Sequence, residues 1–333
     1  MSREEQHNHT HIEGDPIRGV DLTLATLLLF ELFLGTLGNI ISQVFFWSQK
    51  HRNVNRSYFK RIYQMISGVD FLICVTLVPV IEGFLRDLKE EPTLFGSPWF
   101  CYTWGLLWEV LPSISVFLVA TLSISRLVLL LKPTVQLRFS VPGLLVGAYM
   151  VITLSVKCAL LLSSNKMVYW KTTRACVMVF DGSTSKAVEL DFDGNQLKPT
   201  AVLMVQLALP IFPVGLSFCF TMVALYRARH TSNRIQSSCK AQSRAGVTVV
   251  IVTLAYIIFN IPVVIHFGLI LHCVAVNDVC HYETIYPSAL FYYYMWPLMY
   301  VVCVGLNSTL NPLVYWLRMP PFRGFLIKSC VTT

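Results

Sequence analysis

One aspartate, Asp70, falls in the middle of an apolar stretch, in Ser67-Gly68-Val69-Asp70. A charge at the centre of a bilayer costs about 2.5–3.5 kcal/mol or more, so an acid kept there points to function. Other oxygen-bearing residues lie in similar surroundings: Asn39, Ser113, Ser115, and the run Asn307-Ser308-Thr309-Leu310-Asn311-Pro312. On a helix, Asn307 and Asn311 share a face. Asp70, Ser115, Asn307, Ser308 and Asn311 together would make an all-oxygen inward pocket. Hard cations choose such ligands, and sodium is the expected occupant, with Asp70 as its charged ligand. The competing reading is packing glue, in which these groups only hydrogen-bond one another. Glu31, Glu109 and Lys157 also fall within apolar runs or near their ends. Glu109 sits one turn inside the surface. Glu31 and Lys157 have no partner assignable from sequence and read as lipid-edge snorkelling or as a boundary misplaced by a few residues.

Apolar stretches of about 20 residues are long enough to cross a ~30 Å bilayer as helix. Seven occur, at Leu22–Trp47, Ile62–Leu85, Tyr102–Leu131, Phe139–Leu162, Ala201–Tyr226, Ala245–Leu271 and Ile285–Leu317. The expected fold is an all-α membrane protein, a bundle of seven transmembrane helices. Residues 1–20 form a polar tail, 21–317 the membrane domain and 318–333 a short inner tail. The first apolar run lacks the small-residue cleavage site of a signal peptide, and twenty polar residues precede it. Composition agrees. Only 13% of residues are charged and 55% are hydrophobic, with a mean hydropathy of +0.60. Soluble domains carry about 25% charged residues, so a soluble enzyme, a disordered tail and a collagen-like chain are all excluded. The net charge of +8 does not imply nucleic acid, because the basic residues sit between apolar runs and not on one face.

One connection is long. Ser163–Thr200 is polar and contains the turn signal Asp181-Gly182, flanked by Cys176–Phe180 and Val188–Phe192, which are expected to pair as a hairpin. No internal repeat is visible, and seven spans do not divide into equal halves, which counts against a transporter. Prolines mark five spans: Pro79, Pro112, Pro210 with Pro213, Pro262, and Pro297 with Pro312. Each frees a carbonyl and bends its helix, as a hinge or as static shape.

Charge sets the orientation. Lys50, Arg52, Arg56, Lys60 and Arg61, then Lys132 and Arg138, then Arg227, Arg229, Arg234, Lys240 and Arg244, then Arg318, Arg323 and Lys328 fall on one side, without a single Asp or Glu among those segments. The positive-inside rule puts that side in the cytoplasm and the N-terminus outside. Asn8-His9-Thr10 is then a usable glycosylation sequon, whereas Asn55-Arg56-Ser57 and Asn307-Ser308-Thr309 are not. His7, His9 and His11 alternate in the tail without a rigid element and read as solvated. Four of the ten cysteines face the oxidising side: Cys101, Cys176, Cys273 and Cys280. A Cys101–Cys176 bridge would pin the long loop over the bundle, and Cys273 and Cys280 are close enough to staple the last outer loop. Four free thiols are the alternative.

Taken together, the motifs carry a family likeness. The chain resembles a class A, rhodopsin-like G-protein-coupled receptor over nearly its whole length. Gly38-Asn39 looks like the first-helix signature, and Asp70 with Pro79 nine residues on matches the second helix. Cys101 and Arg126 have the spacing of the third-helix cysteine and arginine, and Cys176 matches the outer-loop disulfide partner. Pro210 and Pro262 match the fifth- and sixth-helix prolines. Asn307 to Tyr315, containing Asn311-Pro312 and Tyr315, matches the seventh helix, and Phe322-Arg323 opens the short eighth helix, with Cys330 as a palmitoylation candidate.

The resemblance implies a plasma-membrane receptor that is not an enzyme. It needs no cofactor beyond an allosteric sodium ion, and its partners are an extracellular ligand, the bilayer and a heterotrimeric G protein. Arg126, Asn260, Pro262, Asn311, Pro312 and Tyr315 are the implied switch residues. Trp108 stands at the position where aminergic receptors carry an aspartate, and Ile285–Leu317 lacks the lysine of opsins. Trp104, Trp108, Glu109, Tyr292 and Trp296 would instead line a pocket for a lipid, a neutral small molecule or a peptide, although aromatics also belt membrane interfaces. The departures are Ser125-Arg126-Leu127 in place of the acid–Arg–aromatic triplet, Asn260 for the sixth-helix tryptophan, Phe218 for the fifth-helix tyrosine, and a fourth helix without tryptophan. With Ser125 and Gln242 where acids would restrain Arg126, raised basal coupling is expected. The rivals are a seven-span ion or proton translocator using Asp70, Glu31 and Lys157 as relay groups, and a non-signalling decoy of the same fold.

Overall fold

The computed structural model describes residues 15–49, 54–87, 94, 97–131, 134–137, 140–163, 166–170, 175–179 and 302–331, with scattered helical positions between 215 and 265. Helix α1 (Asp15–Ser48) starts at Asp15-Pro16. Proline in a first turn loses nothing, because that N–H has no intrahelical partner. The helix therefore begins within the expected tail, ahead of its apolar stretch Leu22–Ser48.

The second apolar run is two helices, α2 (Val54–Val75) and α3 (Val78–Asp87). Pro79 causes the break, since it has no N–H and its ring crowds the carbonyl four residues back. The chain tightens across it: the Thr76 amide reaches Leu72 O at 3.0 Å and Ile73 O at 3.1 Å, and the Leu77 amide reaches Cys74 O at 3.1 Å. The Thr76 carbonyl is taken by another helix, accepting the Trp104 indole N–H at 2.9 Å.

Helix α4 (Pro98–Leu131) carries Pro112 inside it, and α5 (Ser140–Ser163) follows. Strands β1 (Lys166–Trp170) and β2 (Ala175–Val179) then form an antiparallel hairpin in which Tyr169 opposes Cys176. Ala175–Val179 is thus a strand as expected, and the partner described for it lies upstream. Val188–Phe192, expected to pair with it, falls outside the described residues. Met167-Val168-Tyr169-Trp170 has strong strand character and lies only four residues away in sequence, so little loop entropy opposes its pairing.

Helix α6 (Cys303–Arg318) covers the C-terminal half of the seventh apolar run. Met319, in extended backbone, turns the chain into α7 (Pro320–Val331), its amide donating to Tyr315 O at 2.8 Å. The membrane part is all-α. Among the described residues, the helical stretches Leu22–Ser48, Val54–Arg86 and Trp99–Leu129 are long and apolar enough to cross a bilayer, and α5 adds a shorter apolar stretch, Gly143–Val156. The described positions between 215 and 265 are helical and fall in the fifth and sixth apolar runs.

Helix α2 is the hub, packed against α1, α4 and α6; α1 also packs on α3 and α6, α4 on α5, and the hairpin on α4. Two apolar clusters fill the interfaces. Near the start of α1, Leu24, Leu28, Leu77, Val80, Phe84, Trp104 and Trp108 meet. Near its end, Phe45, Phe46, Tyr58, Tyr63, Tyr315 and Phe322 meet. Small residues let α1 approach closely. A Cβ on Gly35 would collide with Cys74 Sγ and Thr309 Oγ1, and one on Gly38 with Pro312. Large apolar side chains such as Phe30, Phe33, Leu144 and Val151 point outward, as a bilayer solvent requires.

Candidate functional site

Asp70 is fully buried on α2. Its Oδ1 accepts hydrogen bonds from Ser115 Oγ at 2.9 Å and Ser308 Oγ at 3.1 Å, and its Oδ2 accepts one from Asn311 Nδ2 at 2.6 Å. The carboxylate thus joins α2 to α4 and α6. A fourth helix enters through a proline. Pro312 has no N–H to give to the carbonyl four residues before it, which belongs to Ser308. Asn39 of α1 fills that place, its Nδ2 donating to Ser308 O at 3.2 Å and to Gly35 O at 2.9 Å.

Four of the five residues expected in the pocket are therefore assembled. Asn307 is buried but makes no hydrogen bond to Asp70 among the described residues. The cluster is rich in acceptor oxygens, and the buried Oδ1 of Asn39 has no hydrogen-bond partner among the described residues. Carboxylate, hydroxyl and amide oxygens are the donor set a hard cation takes.

Glu31 overturns its sequence reading. It is only 2% exposed and is neither snorkelling at the lipid edge nor outside the span. Among the described residues its Oε2 has no hydrogen-bond partner, and it lies against Gly305, where a Cβ would displace it. One turn on, Thr309 Oγ1 donates to the Glu31 carbonyl at 3.3 Å. Lys157 lies on α5, with its side chain outside the described residues.

At the C-terminal end of α4, Ser125 donates to the Thr121 carbonyl at 2.7 Å and stands 2.5 Å from the Tyr58 hydroxyl. Arg126 is helical, and its side chain lies outside the described residues. Tyr315 is 1% exposed and sits edge-on to Tyr63 and Phe46, at ring separations of 5.4 and 5.7 Å, while Phe46 and Tyr63 stack on each other. Sequence reasoning missed Tyr58 and saw Asn55 only as a discounted sequon. Asn55 in fact holds the chain after α4, with Nδ2 donating to Val135 O at 3.0 Å and Oδ1 accepting from the Leu137 amide at 2.8 Å. No spacing rule flags such a contact, because its partners lie 80 residues apart.

At the opposite end of α4, Trp104 and Trp108 stack at 5.4 Å and are buried in the cluster with α1 and α3. Cys101 is disulfide-bonded, and β2, which carries Cys176, packs on the same helix. Glu109 and Cys330 are helical, with side chains outside the described residues. Asn8, Asn260, Pro262, Cys273, Cys280, Tyr292 and Trp296 lie outside them altogether.

No family model matches the chain. It is 25% identical, over 321 residues, to the C5a anaphylatoxin chemotactic receptor 1 of Cavia porcellus, an alignment that covers 93% of this chain and 81% of that protein. The helical layout and the apolar segments fit a rhodopsin-like G-protein-coupled receptor. The membrane-length helices make it a multi-pass membrane protein, and the relative is named as a receptor.

A carboxylate that loses one of three buried donors is left partly unsatisfied. Ser115→Ala in the purified protein should cost about 1.5–3 kcal/mol of stability, the worth of a hydrogen bond to a charged group. Asn307→Ala, which breaks no bond to Asp70, should cost less. Thermal unfolding of both variants in detergent checks this, and an equal loss in the two would contradict the geometry.

Proposed function

We propose that the protein binds an extracellular ligand in the outer half of its bundle and activates a heterotrimeric G protein at its inner face. The observation that carries this is the similarity to a receptor along nearly the whole chain. In this reading the N-terminus is outside, Asn8 is glycosylated, and Cys101 bonds Cys176 across the contact between α4 and β2. The inner loops contain Lys and Arg without Asp or Glu, which suits an acidic surface on the partner. Exchange is catalysed on the partner by a shift in the receptor's population, so no bond is made or broken on this chain. The relative's name specifies C5a anaphylatoxin.

Sodium would be held by Asp70, Ser115 and Ser308, with Asn311 and Asn307 beside them. It would supply a positive charge to a carboxylate that is otherwise compensated only by neutral donors. The chain's own residues set the rest. Ser115 and Ser308 fix the orientation of Oδ1, Asn311 fixes Oδ2, and Asn39 locks α1 to the Ser308 carbonyl. The same geometry argues against a proton relay, since the Asp70 partners are a hydroxyl pair and an amide and not titratable groups in series.

Two experiments test this reading. Sodium should raise the unfolding temperature of the purified protein more than a large organic cation does, and Asp70→Asn should remove the difference; equal responses of the wild type to the two salts would sink the sodium site. In cells, the wild type should recruit at least one G-protein class without added ligand, because no acid adjoins Arg126. Ser125→Asp should lower that signal at matched surface expression. Silence across all classes with a ligand library, together with ion current in reconstituted bilayers, would favour the translocator.

A further inference from the structure

The acid that Ser125 replaces leaves a gap in charge but not in contact. Ser125 is 6% exposed and has one proton, which goes to the Thr121 carbonyl at 2.7 Å. The Tyr58 hydroxyl, 2.5 Å away and on a different helix, must therefore be the donor to Ser125 Oγ. Tyr58 is 3% exposed, and its ring is held edge-on by Phe59 at 5.2 Å. Asn55 lies three residues earlier and so on the same face of α2. It grips the segment after α4 from both ends of its amide, donating to Val135 O and accepting from the Leu137 amide. One face of the first turns of α2 thus holds both the end of the third span and the chain that leaves it. Arg126 lies between those two grips in sequence.

We propose that Tyr58 and Asn55 form a neutral clamp that positions the Arg126-bearing end of the third span, doing through hydroxyl and amide bonds what an adjacent acid does through charge, and that releasing the clamp raises coupling. The second half rests on the G-protein reading above; the first does not. Neutral bonds are about half as strong as charge-assisted ones, so the clamp restrains without locking. Tyr58 and Asn55 are positioning residues and contact no ligand in this account.

The test separates the two halves. Full-length protein in lipid nanodiscs is compared with Tyr58→Phe, Ser125→Ala, the double variant and Asn55→Ala, by amide hydrogen exchange over residues 121–131 and 134–137. Tyr58→Phe keeps the ring and removes only the donor, so it should speed exchange over 121–131 about fivefold, the worth of one neutral hydrogen bond. Ser125→Ala should do the same, the double variant no more than either, and Asn55→Ala should act on 134–137. Ligand-independent G-protein recruitment should rise about fivefold with Tyr58→Phe at matched surface expression. Unchanged exchange in Tyr58→Phe, or fully additive effects in the double variant, overturns the clamp. Faster exchange with unchanged recruitment, in a wild type that does couple, overturns its role in gating. A wild type silent with every G protein overturns the coupling reading, while the exchange data still decide the clamp.

Discussion

A carboxylate with no solvent exposure, buried among apolar helices, must be compensated where it stands, and Asp70 is compensated by three donors from two other helices. Burying such a group without partners would cost several kcal/mol. The need to satisfy it dictates how α2, α4 and α6 face one another, since Ser115, Ser308 and Asn311 must all point at one spot. Close packing follows. Helix α1 reaches the same spot only because Gly35 and Gly38 leave room for Cys74, Thr309 and Pro312.

Proline does more here than bend helices. At Pro312 the Ser308 carbonyl, four residues back, loses its helical donor and accepts from Asn39, and within the break ahead of Pro79 the Thr76 carbonyl accepts from Trp104. Kinks and cross-links are thereby the same feature, so a change in one helix's bend alters its bond to a neighbour. Toward the C-terminal end of α4 the ties become neutral and aromatic: Tyr58 on Ser125, Asn55 on Val135 and Leu137, and Tyr315 among Phe46 and Tyr63. A bundle joined by discrete directional bonds suits the shift between packings that the proposed function requires.

Much of this was readable in the chain. Apolar run length revealed the spans, because hydrophobic thickness is a one-dimensional constraint. Asp70, Ser115, Ser308 and Asn311 stood out because oxygen in an apolar run is costly. Three things were not readable. The strand Lys166–Trp170 was missed because the four residues before Ala175 are a weaker turn signal than Asp181-Gly182. Glu31 was misread because its acceptance depends on an absent side chain, the missing Cβ of Gly305 on a distant helix. Tyr58 and Asn55 were invisible because their partners are distant in sequence and their residue types are ordinary at a helix end. Asn307 shows the reverse: it shares a face with Asn311 by spacing, yet only Asn311 reaches the carboxylate.

Asp70 and Asn311 are direct partners across two helices. A reciprocal exchange addresses this pairing most directly, because Asp70→Asn combined with Asn311→Asp moves the charge across the 2.6 Å contact while keeping the pair. Thermal unfolding of the purified single and double variants is the measurement. The double variant should recover a substantial part of the stability lost in the Asn311→Asp single variant, which places two carboxylates together. Strictly additive losses in the double variant would contradict it.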